Sequence, residues 1–90
     1  MPIAGIDQKA KREFFDAVVK LKSKNDFEQL FKDLMSSSEI KDLSRRYYAA
    51  KLLYRSKTYQ EIETMMGMSP VTINKIYFKT KGSRILPSLL

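Results

Sequence analysis

The segment that follows Gly67 combines small, polar and basic side chains of the kind that can recognise nucleic-acid bases. A side-chain amide such as that of Asn74 and a threonine hydroxyl such as that of Thr72 hydrogen-bond to base edges in the major groove. A lysine beside them adds a donor and a positive charge. We therefore predict base contacts by Asn74 and Thr72 and an interface that also includes their neighbours: Ser69, Val71, Thr72, Asn74 and Lys75.

Basic side chains accompany this segment, and no acidic residue follows Glu63. The chain has 90 residues and a formal net charge of +7, and four of its basic residues lie beyond Glu63. Clustered lysines and arginines neutralise phosphates and release counterions, which gives an affinity that falls steeply with salt. We predict that five of them contact the backbone of double-stranded DNA: Arg55, Lys57, Lys79, Lys81 and Arg84.

Several classes of chemistry are excluded because the chain has no cysteine and no histidine. Disulfides, thiolate nucleophiles, imidazole bases and the commonest zinc sites all need one of these residues. We expect no catalytic residue, no metal site and no cofactor. No apolar run approaches the ~20 residues that span a bilayer, and the first residues lack the pattern of a secretory signal. We expect a cytoplasmic, nucleoid-associated bacterial protein with no membrane partner.

The elements that must position these residues are helices, because apolar residues recur at three- and four-residue steps almost throughout. We predict one all-α domain over 1–90 with about five helices. Asn25 is the expected N-cap of the second helix, with Glu28 completing a capping box. The tail over 81–90, which is basic and apolar, has no assigned element. The predicted segments are about 7–23, 25–35, 36–55, 58–66 and 70–79.

A helix-turn-helix motif is predicted within 58–80. A threonine and a glutamate form a capping box at its start, and Gly67 supplies a helix stop. Ser69 and Pro70 then open the second helix. The motif needs apolar residues on both inner faces and after the glycine, although Glu63 occupies one inner position. The apolar residues at the required places are Ile62, Met66, Met68, Ile73 and Ile76.

The segment over 36–55 is apolar around most of its circumference and must be covered from several directions. A chain of this length buries only roughly 60% of the surface that its unfolded form exposes. Both points favour a homodimer in which a second copy supplies part of the cover. Tyr47, Tyr48 and Tyr54 have helical spacing and are expected in core or interface positions rather than stacked on bases.

Two other classes of function fit the same pattern. A helical pair with apolar inner faces also occurs in protein-interaction modules, where it would dock an acidic partner. A nucleic-acid-binding protein without sequence preference would have the same charge. Only the combination of the helical pair with the acid-free basic end favours a sequence-specific DNA-binding regulator of transcription.

From Phe27 onward, the chain resembles the tryptophan repressor family, and more closely the tryptophan-repressor-related proteins of Gram-positive and other bacteria. The resemblance covers about half of the chain and is continuous through the predicted helix-turn-helix. The resembling strings are Leu34-Met35-Ser36, Leu43-Ser44-Arg45-Arg46, Ala50-Lys51-Leu52-Leu53, Lys57-Thr58-Tyr59-Gln60-Glu61-Ile62, Gly67-Met68-Ser69 and Val71-Thr72-Ile73.

The resemblance implies an intertwined, all-helical homodimer that represses transcription from a two-fold symmetric operator. It also implies an effector pocket that would contain Met35, Ser36, Arg46, Lys75 and Ile76. Arg46 matches an arginine of the family's tryptophan site, whereas Lys75 replaces a second arginine. Ile76 replaces a glycine that leaves room for the indole ring. We therefore expect tryptophan not to be the corepressor, and the effector, if one exists, is unidentified.

Overall fold

The computed structural model describes residues 1–90 and contains six α-helices and no strand. The all-α prediction is therefore confirmed. The chain divides into two compact units, Met1–Ser37 and Ser38–Leu90, and the prediction of one domain over 1–90 remains a prediction. The helices are α1 (Ile6–Val18), α2 (Lys24–Leu34), α3 (Ser37–Tyr54), α4 (Tyr59–Met66), α5 (Pro70–Thr80) and α6 (Ile85–Leu89).

The first unit, Met1–Ser37, consists of α1, α2 and their connection. Its boundaries differ from the sequence prediction because Ser23, not Asn25, is the N-cap of α2: the Ser23 hydroxyl accepts a 3.1 Å hydrogen bond from the Asp26 amide. Ser23 has an extended backbone, so α1 must end before it. The amides of Lys20 and Leu21 bond three residues back, each at 3.1 Å, which tightens and ends α1. No residue of this unit is fully buried.

The second unit, Ser38–Leu90, contains the hydrophobic core. Three residues of α3 share this core with one residue of α4 and two of α5. Small alanines at two of the α3 positions leave room for the isoleucines of the following helices. Half-buried side chains from α3, α4, the turn and α6 pack around them. The buried members are Ala49, Ala50, Leu52, Ile62, Ile73 and Ile76.

The predicted helical pair over 58–80 is present as α4 and α5, joined by the three residues Gly67–Ser69. The Thr58 hydroxyl accepts a 3.1 Å bond from the Glu61 amide, which is the first half of the predicted capping box. The Glu61 carboxylate accepts from the Thr58 hydroxyl rather than from its amide. Gly67 ends α4 in the left-handed conformation, with φ 60°.

The tail contains the helix that the sequence did not assign, α6. The Ser83 hydroxyl accepts a 3.1 Å bond from the Leu86 amide and so satisfies one free donor of this helix. Pro87 lies in the first turn of α6, where a missing N–H removes no intrahelical bond. Leu86 packs against the core of the second unit. The tail is therefore helical over half of its length, because its one proline is compatible with a helix start.

Candidate nucleic-acid interface

The two sides of α5 differ sharply in exposure. Ile73 and Ile76 are 0% and 5% exposed and face the core, whereas Val71 is 65% exposed. All five residues predicted to form the base-reading surface are exposed. We call Ser69, Val71, Thr72, Asn74 and Lys75 the α5 outer face. A short helix with one fully apolar side and one polar, basic side can pack on its own unit and still present its outer residues to a large ligand.

Two residues of the α5 outer face also stabilise the start of the helix. The Ser69 hydroxyl accepts a 3.2 Å hydrogen bond from the Thr72 amide and lies 3.0 Å from the Thr72 hydroxyl. Pro70 occupies the first turn, where its fixed φ suits a helix. The N-terminus of α5 also carries the positive end of the helix dipole and has no acidic residue in its first turn. The start of α5 is therefore both rigid and suited to an anionic partner.

The five residues predicted to contact phosphates are all exposed, but their surroundings differ. Lys57 forms a 3.7 Å ion pair with Glu61. The Lys81 ammonium lies 4.6 Å from the centroid of the Phe78 ring and 5.9 Å from that of Tyr77. Lys57 and Lys81 line one open cavity of about 360 Å³, which the sequence did not predict. We call this cavity the tyrosine groove; it is lined by Leu53, Tyr54, Lys57, Tyr59, Tyr77, Thr80, Lys81 and Gly82.

A second cavity, of about 320 Å³, brings together part of the predicted effector pocket. Arg46 and Ile76 both line it. Lys75 does not line it and belongs to the exposed outer face of α5. Met35 and Ser36 belong to the first unit, and their role in an effector pocket stays a prediction. We call this cavity the arginine cavity; it is lined by Asp42, Arg45, Arg46, Gly67, Met68, Ser69, Thr72 and Ile76.

Arg45 is the residue of this region whose role the sequence prediction missed. Its guanidinium donates a hydrogen bond to the carbonyl oxygen of Met66, the last residue of α4. The bond satisfies a carbonyl that has no partner within the helix. A signal for this position was present, because Arg45 lies four residues before Ala49 and seven before Leu52, on the buried side of α3. A basic residue on a buried stripe needs an acceptor, and Met66 provides it.

The remaining chemistry is limited. The chain has no group of three or more acidic side chains that could hold a metal ion. None of its helices combines the length and the apolar character needed to cross a bilayer. No buried side-chain nitrogen or oxygen lacks a hydrogen-bond partner. The polar groups that are free to act on a ligand therefore lie at the surface, and the charged residues of the chain comprise 17 basic and 10 acidic ones.

Comparison with known proteins gives a consistent result. The model of the family described as "Trp repressor protein" matches residues 9–86. The "Uncharacterized protein YerC" of Bacillus subtilis (strain 168) is 32% identical over 76 residues, which are 84% of this chain and 73% of the relative. No solved structure matches the chain significantly. The family match includes both cavities and the whole of α4 and α5.

Proposed function

Because the chain belongs to the Trp repressor family, we propose that it is a sequence-specific repressor of transcription that binds DNA as a homodimer. Membership of the family indicates a DNA-binding regulator rather than an enzyme. Family membership alone does not specify which residues contact the bases, whether the operator has two-fold symmetry, or whether binding represses transcription; we propose all three. A DNA-binding repressor acts on the nucleoid, so we place the protein in the bacterial cytoplasm.

The observation that carries the proposal is the two-sided character of α5. Its inner side is anchored by Ile73 and Ile76, which are buried, while the α5 outer face is exposed and free of acidic residues. A helix presented in this way fits the major groove, which admits one α-helix. In the proposed complex, Asn74 and Thr72 contact bases, and Ser69, Val71 and Lys75 line the groove. Each good base contact contributes about 1–3 kcal/mol of discrimination.

The proposed backbone contacts use the basic set defined above. Lys79, Lys81 and Arg84 follow the outer face of α5 along the chain, and Arg55 and Lys57 precede α4. These side chains position the protein on the duplex without reading sequence. Their number predicts a strong dependence of affinity on salt.

The homodimer is supported by the exposure of large apolar residues in the first unit. Phe15 is 55% exposed and Leu34 is 62% exposed, and this unit has no fully buried residue. A second copy of the chain would cover such residues and would place two α5 helices about one helical turn of DNA apart. The test is sedimentation equilibrium together with unfolding at several protein concentrations. A monomer at micromolar concentration, with a midpoint that does not change, would contradict the dimer.

The decisive experiment for the function is a selection of bound sequences from a random duplex library. We expect a two-fold symmetric consensus, which tests DNA binding, specificity and dimer symmetry together. The Asn74→Ala and Lys75→Ala variants should then bind the consensus more weakly than the parent at several salt concentrations. Gln60→Ala is a matched control, because Gln60 is exposed on α4 and lies outside the α5 outer face.

The selection also distinguishes the two other classes of function. Equal affinity for all duplexes would indicate a nucleic-acid-binding protein without sequence preference. Elution from heparin or DNA at low salt, with no consensus, would favour a protein-interaction module for an acidic partner. Unchanged binding by Asn74→Ala and Lys75→Ala would show that another element reads the bases.

A further inference from the structure

The first residue of α4 is joined to the α5 outer face by a side-chain hydrogen bond. The Tyr59 hydroxyl donates to the Oδ1 atom of Asn74 at 3.1 Å, across 15 positions of sequence. Asn74 is one of the two residues that we propose to contact bases. The bond therefore connects α4 with α5 and acts on the side-chain amide that we propose for base recognition.

The ring of Tyr59 is itself held in place. It is half-buried and packs against the core of the second unit. Its centroid lies 6.5 Å from that of Tyr77, at an interplanar angle of 61°, which is an edge-to-face arrangement. Because the ring is fixed by packing, its hydroxyl is a donor at a fixed position rather than a group that follows Asn74.

The chemistry of the amide gives this bond a consequence for recognition. An asparagine side chain carries an acceptor, Oδ1, and a donor, Nδ2, and rotation about its last bond exchanges their positions. A hydroxyl that donates to Oδ1 favours one of the two orientations. The exposed amide then offers Nδ2 as its unpaired donor. The matching groups in the major groove are acceptors: N7 of either purine, O6 of guanine and O4 of thymine.

We propose that Tyr59 is a positioning residue for DNA recognition: its hydroxyl fixes the amide of Asn74 so that Nδ2 is presented to an acceptor on a base edge. This inference rests on the proposed DNA-binding function. Tyr59 contacts no base itself. Its hydroxyl reduces the conformational entropy that the Asn74 side chain loses on binding DNA, and it sets which polar atom of the Asn74 amide faces the DNA. Such pre-organisation improves specificity without any added contact.

The test is a comparison of sequence preference among five variants, measured by quantitative selection from the random duplex library. Tyr59→Phe removes the hydroxyl and keeps the ring. We expect it to reduce discrimination at the base pair that Asn74→Ala affects, by on the order of threefold to tenfold, the value of one hydrogen bond. Tyr59→Phe added to Asn74→Ala should have no further effect at that base pair. The slope of log affinity against log salt should stay unchanged, because no charge is lost.

Two further variants separate positioning from a structural role. Tyr77→Phe is the matched control, because its ring contacts Tyr59 while its hydroxyl is not part of the bond to Asn74. It should leave the preference unchanged. Asn74→Asp keeps an acceptor for the Tyr59 hydroxyl and removes the donor, so it should lose the parent's preference at the base pair that Asn74→Ala affects. Each variant is also unfolded in urea, and Tyr59→Phe should retain a cooperative transition.

The outcomes distinguish this inference from the function on which it rests. If the parent protein selects no consensus, the proposed function fails and the inference fails with it. If Asn74→Ala relaxes one base pair and Tyr59→Phe does not, the role of Tyr59 is wrong while the function stands. If the Asn74→Asp variant, which has no donor, keeps the parent's preference at that base pair, the proposed orientation of the amide is wrong.

Discussion

The hydroxyl of Tyr54 donates a 2.6 Å hydrogen bond to the carbonyl oxygen of Thr80, so the last residue of α3 holds the last residue of α5. The same hydroxyl accepts a 3.2 Å bond from the amide of Ser83. The Ser83 amide also donates to the Thr80 carbonyl at 3.1 Å, so the Tyr54 hydroxyl is a second partner for two backbone groups that already bond to each other. Helical spacing predicted a core or interface position for Tyr54; it did not predict these two hydrogen bonds, whose partners lie 26 and 29 positions away.

Replacing Tyr54 by phenylalanine should destabilise the second unit. The Tyr54→Phe variant keeps the ring and removes the hydroxyl that bonds to Thr80 and Ser83, while the Ser83 amide keeps its own bond to the Thr80 carbonyl. We expect a loss of about 0.5–1.5 kcal/mol in the free energy of unfolding, measured by urea denaturation. Tyr48→Phe is the control, since Tyr48 is exposed on the same helix and should change stability by less than about 0.5 kcal/mol. Equal effects would contradict the role of the hydroxyl.

The two adjacent arginines of α3 should differ in their effect on stability. Arg45 donates to the Met66 carbonyl and is half-buried, whereas Arg46 is exposed. Arg45→Ala removes a charged donor at the end of α4 and should cost about 1–3 kcal/mol. Arg46→Ala removes the same charge and should stay within about 0.5 kcal/mol of the parent. Thermal unfolding of both variants at equal protein concentration tests the difference, and a larger loss for Arg46→Ala would contradict it.

Gly67 is required for its backbone conformation rather than for lack of space. Its φ is +60°, and a Cβ atom built there would have no neighbour within 4 Å. Gly67→Ala should therefore cost roughly 1–2 kcal/mol through the left-handed backbone alone. Gly67→Asn should cost less, because asparagine tolerates this region better than alanine does. The order of the two midpoints in urea is the measurement, and an alanine variant as stable as the parent would refute the explanation.

The basic residues should contribute unequally to the salt dependence of DNA binding. Lys79→Ala is expected to reduce the slope of log affinity against log salt by about 1, as expected for one lost phosphate contact. Lys57→Ala should reduce it less, because Lys57 already pairs with Glu61 at 3.7 Å. Fluorescence anisotropy with a labelled consensus duplex at four or five salt concentrations gives both slopes. A larger reduction of the slope by Lys57→Ala than by Lys79→Ala would indicate that the phosphate contacts lie near the start of α4 rather than near the end of α5.

Tryptophan should not bind with micromolar affinity. Ile76 lines the arginine cavity together with Arg46, and the resemblance implies a glycine at its position, where an isoleucine side chain would occupy the space of an indole ring. Isothermal titration calorimetry with tryptophan should give only the heat of dilution. Saturable binding at micromolar concentration would overturn this expectation and would make the arginine cavity an effector site.

The parts of the fold that the sequence predicts well are those set by local backbone chemistry. Thr58 and Ser69 accept hydrogen bonds from the amides three residues ahead, and Gly67 ends α4, all at the expected positions. The periodic isoleucines of α4 and α5 are buried as expected. Such features depend on neighbours within four residues, so spacing alone identifies them.

The features of the fold that the sequence did not predict depend on a choice between two possible N-caps or on hydrogen-bond partners that are distant in sequence. Ser23 and Asn25 are both good caps, and the choice between them decides where α1 ends. The acceptor of Arg45 lies 21 positions away, and the acceptor of Tyr59 lies 15 positions away. No spacing rule links such pairs, because their contact follows from how α3, α4 and α5 pack.

The first unit has a consequence for the lifetime of the protein in the cell. A segment in which no residue is fully buried opens easily, and open segments are the substrates of proteases. If a second copy covers this segment, dimerisation lowers, by mass action, the fraction of chains in which the first unit is open. Turnover would then depend on abundance: newly made chains at low concentration would be degraded fastest, and the supply of active regulator would rise more steeply than its rate of synthesis.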